Sequence, residues 1–134
     1  MVIDYQISVA SSSTFVADLF TKGSHHRNLT VIYLVQNVYN QGKSQRTINL
    51  NSCYSVVCRN GRDASQFRTM AYQICPNDGK WLVDCFTDAT SKHYGYLVLD
   101  HHPSTPKDQT VVTNILPGDQ LTYYINSHNK VTRH

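Results

Sequence analysis

The run Leu29-Thr30-Val31-Ile32-Tyr33-Leu34-Val35 constrains the fold more than any other stretch of this chain. It is rich in β-branched residues and almost free of polar interruption. A strand without polar alternation is one buried on both faces, and helices are the usual cover for such a strand. Met1-Val2-Ile3-Asp4 repeats the pattern in miniature, an apolar strand closed by a carboxylate. Between the two, Ser11-Ser12-Ser13-Thr14 can cap a helix. Phe15, Val16, Leu19 and Phe20 follow at helical spacing, and Gly23 is a stop.

The pattern continues downstream. Lys43 to Asn51 is compatible with a short helix, and Tyr54 to Cys58 reads as another buried strand, closed by the turn Arg59-Asn60-Gly61-Arg62. Asp63 is placed to cap a helix carrying Phe67, Met70, Ala71 and Ile74 on one face. Pro76-Asn77-Asp78-Gly79 ends it, and Trp81 to Ala89 forms a second helix with Trp81, Leu82, Cys85 and Phe86 inward. Tyr94 to Leu99 is a strand, and Gln109 to Leu116 is a last, alternating one. Strands separated by helical patterns predict an α/β fold, a mostly parallel sheet flanked by helices. The last two strands are close in sequence and are expected to pair as an antiparallel hairpin at the C-terminal end. The expected organisation is one domain over residues 1–125 and a flexible tail over 126–134.

Composition narrows the function classes. The chain has 134 residues, enough for one domain with a real core. Charged residues make up 16% and the formal net charge is +3, so a dedicated basic arm is excluded while contact with nucleic acid is allowed. All nine acidic residues are Asp. No apolar run is long enough to span a membrane, and no secretory leader is visible, so the expected compartment is cytoplasm or nucleus and no membrane partner is expected. Cys53, Cys58, Cys75 and Cys85 form no CxxC pair and read as free thiols. The pairs His25-His26 and His101-His102 invite a zinc reading, but adjacent side chains in an extended chain diverge. Each pair is better read as part of a polar loop.

In open α/β sheets ligands gather at the carboxyl ends of strands. Asp4 ends the first apolar strand, and Gln36-Asn37 ends the second. A carboxylate in the first position can hold Mg²⁺ through water beside a triphosphate, and an amide in the second can orient an attacking water. Lys22, Arg27, Lys43, Arg46, Arg59, Arg62 and Arg68 spread basic charge over the same half of the chain.

The order and spacing of these features resemble the carboxy-terminal half of FtsK/HerA-like DNA-packaging P-loop ATPases, above all those of Polinton/Maverick-type elements and related DNA viruses of animals. The stretches that carry the resemblance are Leu19 through Asn28, Val31-Ile32-Tyr33-Leu34-Val35-Gln36-Asn37, Arg46 through Asn51 and Tyr54-Ser55-Val56-Val57. They continue with Arg59-Asn60-Gly61-Arg62-Asp63, Ala89-Thr90-Ser91-Lys92 and Tyr94 through Asp100. The resemblance implies the distal half of a RecA-like core, with ATP and Mg²⁺ as the cofactors of the complete machine. It implies that Asp4 is the Mg²⁺-linked acid of the Walker B strand, that Gln36 is the polar sensor, and that Asn37 stands beside it at the nucleotide. Arg46 is implied to reach a neighbouring subunit or DNA. The implied partners are double-stranded DNA, further copies of the chain or full-length ATPase subunits.

Two departures qualify that implication. Tyr5 stands where the family carries a second acid, and a phenol with a pKa near 10 is a poor general base at neutral pH. The phosphate-cradling GxxxxGK[ST] segment does not occur, and in the family's order it would precede residue 1. The expected function is therefore a fragment or degenerate subunit of a DNA-packaging or translocating ATPase that does not hydrolyse ATP by itself. The alternative is a non-catalytic module that docks on nucleic acid or on a full-length ATPase. A partial domain leaves a sheet edge uncovered, so self-association or marginal folding is also expected.

Overall fold

The structure is a computed structural model, and it describes residues 2–4, 14–23, 30–35, 43–61, 65–127 and 130–133. The chain divides into two compact units, Met1–Ser52 and Cys53–His134, where the sequence pattern suggested one domain.

In the first unit, strand β1 (Val2–Asp4) pairs in parallel with β2 (Ile32–Leu34). The register sets Val2 beside Ile32 and Asp4 beside Leu34. Helix α1 (Thr14–Asp18) runs directly into a π-helical turn, Leu19–Gly23. The connection between the strands thus contains a helix, as a parallel pair requires. Helix α2 (Lys43–Asn51) follows. Val16, Ala17 and Ile48 form a small core, with Phe20 and Tyr33 packed edge-to-face beside it at 6.3 Å. β2 is less buried than its sequence suggested. Ile32 and Leu34 are each 48% exposed, so only the opposite face at Tyr33 meets the core.

The second unit holds the larger core. Strands β3 (Tyr54–Cys58), β4 (Tyr96–Asp100), β5 (Val111–Thr113), β6 (Thr122–Ser127) and β7 (Lys130–Arg133) form one sheet in sequential order. Every neighbouring pair is antiparallel. This corrects the expectation of a mostly parallel sheet, and the reason is topological. Between β3 and β4 lie two helices, α3 (Ser65–Ile74) and α4 (Gly79–Ala89), joined at the Pro76–Asp78 turn. One crossover helix returns the chain to its starting end and gives a parallel neighbour. A helical hairpin returns it to the opposite end and gives an antiparallel one. The later connections are too short for a crossover, so β4–β5 pairs as the sequence suggested and β6–β7 extends the same meander. The segment read as a tail from 126 onward carries the end of β6 and all of β7.

β4 is the central strand. Leu97, Val98 and Leu99 are all buried. On one face, Leu97 and Leu99 meet Leu82, Cys85 and Ala89 of α4, with Phe67 and Ala71 of α3, Val111 and Tyr124 completing the cluster. The rings of Phe67 and Phe86 stack at 4.0 Å and lock the two helices together. Fully burying an aliphatic side chain of this size contributes about 1.5–3 kcal/mol, so Leu82 and Leu97 anchor the unit. β3 is an edge strand rather than a buried one, since Tyr54 and Val56 are 60% and 59% exposed.

β4 begins at Tyr96, later than its apolar run, because Tyr94 adopts a left-handed conformation (φ 58°) and Gly95 is pressed against the end of α4. A Cβ at Gly95 would lie 2.2 Å from the Ala89 carbonyl oxygen, a backbone atom that cannot swing aside. Replacing Gly95 by Ala is therefore expected to cost about 2 kcal/mol in urea unfolding. The control Gly61→Ala, where nothing lies within 4 Å, should stay within about 0.5 kcal/mol of the parent.

Candidate functional site

Two places in the fold gather chemistry, one in each unit. In the first unit, Asp4 ends β1 and is in register with Leu34, so the carboxyl ends of both strands lie side by side. Gln36 follows Leu34 by two positions in sequence. This is the end of a parallel pair at which α/β proteins place ligands. Tyr5, Gln36 and Asn37 lie outside the described residues, and Arg46 sits within α2 with only its backbone described. The structure thus places the two strand ends together and says nothing of the side chains of Asp4 and Arg46.

In the second unit, a cavity of about 530 Å³ opens between the helices and one end of the sheet. Its walls are Ile74 and Cys75 from the end of α3, Trp81 and Leu82 from α4, Leu99 and Val111 from the sheet, and Ile125 from β6. Its polar rim is formed by Asp100, His101, Lys107, Asp108, Thr110 and Asn126. Lys107 and Asp108 belong to a short 3₁₀ turn, Lys107–Gln109, that follows β4.

The sheet register aligns the floor. Ser55 pairs with Leu99, and Leu99 pairs with Val111. Directly opposed residues share a face, so all three point to the cavity side. His101, two residues beyond Leu99, continues that face, and its backbone N–H donates to the Cys53 carbonyl at 2.8 Å. There the imidazole Nε2 lies 3.0 Å from the Ser55 hydroxyl.

Asp100 holds the rim loop rather than the histidine ring. Its Oδ1 accepts from the His102 N–H at 2.8 Å and its Oδ2 from the Thr105 hydroxyl at 2.9 Å. His102 turns the other way, with Nδ1 2.7 Å from the Ser104 hydroxyl. The adjacent histidines therefore face different partners. Among the described residues no group of three or more His, Cys, Asp or Glu side chains could hold a metal ion. A serine beside an imidazole is half of an acyl-transfer arrangement, but the ring needs a third group to orient it, and the neighbouring acid is engaged elsewhere. The site thus joins an apolar wall to a polar rim.

Trp81 is the least expected member. It is 8% exposed, and among the described residues its buried indole Nε1 finds no hydrogen-bond acceptor. Leaving such a donor unpaired costs about 1–3 kcal/mol. The sequence pattern put Trp81 inward on α4 but gave no sign that its N–H would be orphaned. Nor did it show that Asp100, His101 and Lys107, in a stretch read as turns, would rim a cavity. The only local signal was the density of polar residues after an apolar strand.

All four cysteines are free. Burial, reinforced by Asp84 and Asp88, pushes the Cys85 thiol up to about 12. Burial, then Asp78, raises Cys75, which lines the cavity. Both shifts disfavour the thiolate, the nucleophilic form. No helix among the described residues is long and apolar enough to cross a membrane.

Comparison with known families, curated proteins and solved structures finds no match to this chain.

His101 gives the site a pH signature. His101 is exposed at the rim, yet the partial burial of its ring lowers its pKa from 6.5, and Asp100 opposes the shift only in part. A histidine lowered in the folded state binds protons more weakly there than in the unfolded chain. Its contribution to stability is full above pH 6.5 and is lost as the pH falls through the folded-state value. Urea midpoints of the parent should thus fall between pH 7.5 and pH 5, and His101→Asn should fall less; equal slopes would contradict the assignment.

Proposed function

We propose that this chain is a non-hydrolysing part of a DNA-packaging or DNA-translocating ATPase, its first unit serving as the Walker B and sensor strands of a RecA-like core. The observation that carries the reading is the parallel register of β1 and β2, which brings the carboxyl end at Asp4 beside the strand that leads to Gln36. In this reading Asp4 holds Mg²⁺ through water, Gln36 and Asn37 face the terminal phosphate, and Arg46 reaches a neighbouring subunit or the duplex. A single carboxylate suits Mg²⁺, which keeps most of its waters and takes phosphate oxygens for the rest. The Mg²⁺ and nucleotide would supply the phosphoryl chemistry of the assembled machine.

Two features set the limit on turnover. Tyr5 replaces the acid that would polarise water, and the 134 residues contain no GxxxxGK[ST] cradle. The cradle must come from outside them. The antiparallel sheet of the second unit departs from a RecA-like core, and in this reading it serves as an appended module. A second reading, a non-catalytic module that docks on a full-length ATPase, draws support from β3, an edge strand whose Tyr54 and Val56 are exposed.

Two titrations test the proposal. A fluorescent ATP analogue with Mg²⁺ should show no saturable binding to the 134-residue chain up to roughly millimolar nucleotide. A labelled duplex of about 30 base pairs should raise its anisotropy at micromolar protein in about 50 mM salt and lose most of that binding by about 200 mM. Saturable Mg²⁺-dependent nucleotide binding that weakens in Asp4→Ala would place a phosphate site within these residues and overturn the non-hydrolysing reading. Absence of duplex binding at low salt would remove DNA as the partner and favour the docking module.

A further inference from the structure

We propose that β3 is a dimerisation strand, pairing antiparallel with β3 of a second copy of this chain about a two-fold axis at Val56. The inference concerns the second unit alone and does not rest on the nucleotide reading of the first. It gives the β3 edge an occupant other than an ATPase subunit.

The ladder fixes which backbone groups are free. Among the described residues β3 pairs with β4 alone. The His101 N–H donates to the Cys53 carbonyl at 2.8 Å, which makes Cys53 and His101 a hydrogen-bonded pair. Bonded and non-bonded pairs alternate along an antiparallel ladder, so Ser55 and Val57 turn their backbone groups towards Leu99 and Leu97. Tyr54, Val56 and Cys58 turn theirs to the open edge. Asp100 gives the same phase from the other side of β4, since its N–H donates to the Thr110 carbonyl and not to β3.

Open edges are commonly guarded by charge, proline or a bulge. Tyr54–Cys58 holds no charged residue and no proline, and its register with β4 is unbroken. Tyr54, Val56 and Cys58 are also exposed, on the face opposite Ser55 and the cavity.

Two features select a second copy. In the register centred on Val56, Val56 meets Val56 and Tyr54 meets Cys58. Every outward N–H and C=O of Tyr54, Val56 and Cys58 then finds a partner in both copies, and a slip along the strand leaves some of them unpaired. The directly opposed side chains form one apolar row across the axis. Charge agrees with the antiparallel sense. Exposed Arg59 follows one end of β3, and Asp100 lies opposite Tyr54 at the other. The two-fold brings Arg59 of each copy to the sheet end that carries Asp100 of the other, whereas a parallel pair would set Arg59 beside Arg59.

Sedimentation velocity on the full chain, from about one to several hundred micromolar, should show a monomer–dimer equilibrium. Val56→Lys sets two ammonium groups opposite each other at the axis and should weaken the dimer about tenfold or more, while Val56→Thr should stay within about threefold. Val56 is 59% exposed, so both variants should keep the parent's urea midpoint. A cross-link reads the register independently. In a Cys53→Ser background, Tyr54→Cys places a thiol opposite Cys58 of the second copy at about 5.5 Å between Cα atoms, within disulfide range. Within one strand the same two positions are about 13 Å apart and cannot bond. Mild oxidation should therefore give a covalent dimer whose peptide map joins position 54 to Cys58. A chain that stays monomeric would overturn the proposal, as would a dimer undiminished in folded Val56→Lys. A thiol at position 54 that links to its own counterpart, or to nothing, would overturn the register.

Discussion

The second unit depends on α4 lying against β4. Leu82 and Cys85 of the helix and Leu97 of the strand have no exposed surface at all, and every other buried residue of the cluster is arranged around them. A polar clasp completes the contact: the Tyr124 hydroxyl donates to the Asp88 carboxylate at 2.5 Å, tying β6 to the last turn of α4. A hydrogen bond to a charged acceptor away from water is among the stronger ones. Trp81, in the first turn of the same helix, lines the cavity.

The position of the cavity follows from the same packing. α3 and α4 cover the middle of the sheet, and beyond Leu99 the strand runs past the end of that cover. The chain there turns back through a loop pinned by Asp100 to His102 and Thr105. The space left between loop and helices is apolar below, where the core continues, and polar above, where the loop meets water. The first unit organises its chemistry differently, through two parallel strand ends.

Much of the local structure was legible in the sequence. The helix from Gly79 to Ala89 follows from Trp81, Leu82, Cys85 and Phe86 at helical spacing after a Pro-Asn-Asp-Gly turn, and α3 follows in the same way from Phe67, Ala71 and Ile74. Strand direction was not legible, because one helix or two between strands changes the parity of the return without changing the look of either helix. Burial was misread at β3 for a related reason. Val56-Val57 has the composition of an interior strand, but a meander in chain order leaves its first strand at an edge. The β6–β7 hairpin was missed because Thr, Asn, His and Lys predominate near the C-terminus, while its inward anchor Tyr124 is a single residue. Of the candidate site, the short strand ending at Asp4 was legible, but its register with Leu34 was not. The orphaned indole and the His101–Ser55 contact were not, since both depend on residues far apart in sequence.

The most direct test of the central claim, two units with separate cores and a second unit built on α4 and β4, is native-state amide hydrogen exchange of the full chain. The amides of Leu97 to Leu99 and of Leu82 to Ala89 should exchange last and together, through one cooperative opening. Those of Ile32 to Leu34 and of Ile48 should exchange earlier, through a separate opening with its own denaturant dependence. A single opening that protects both sets equally, or rapid exchange of β4 alongside a protected β2, would contradict the account.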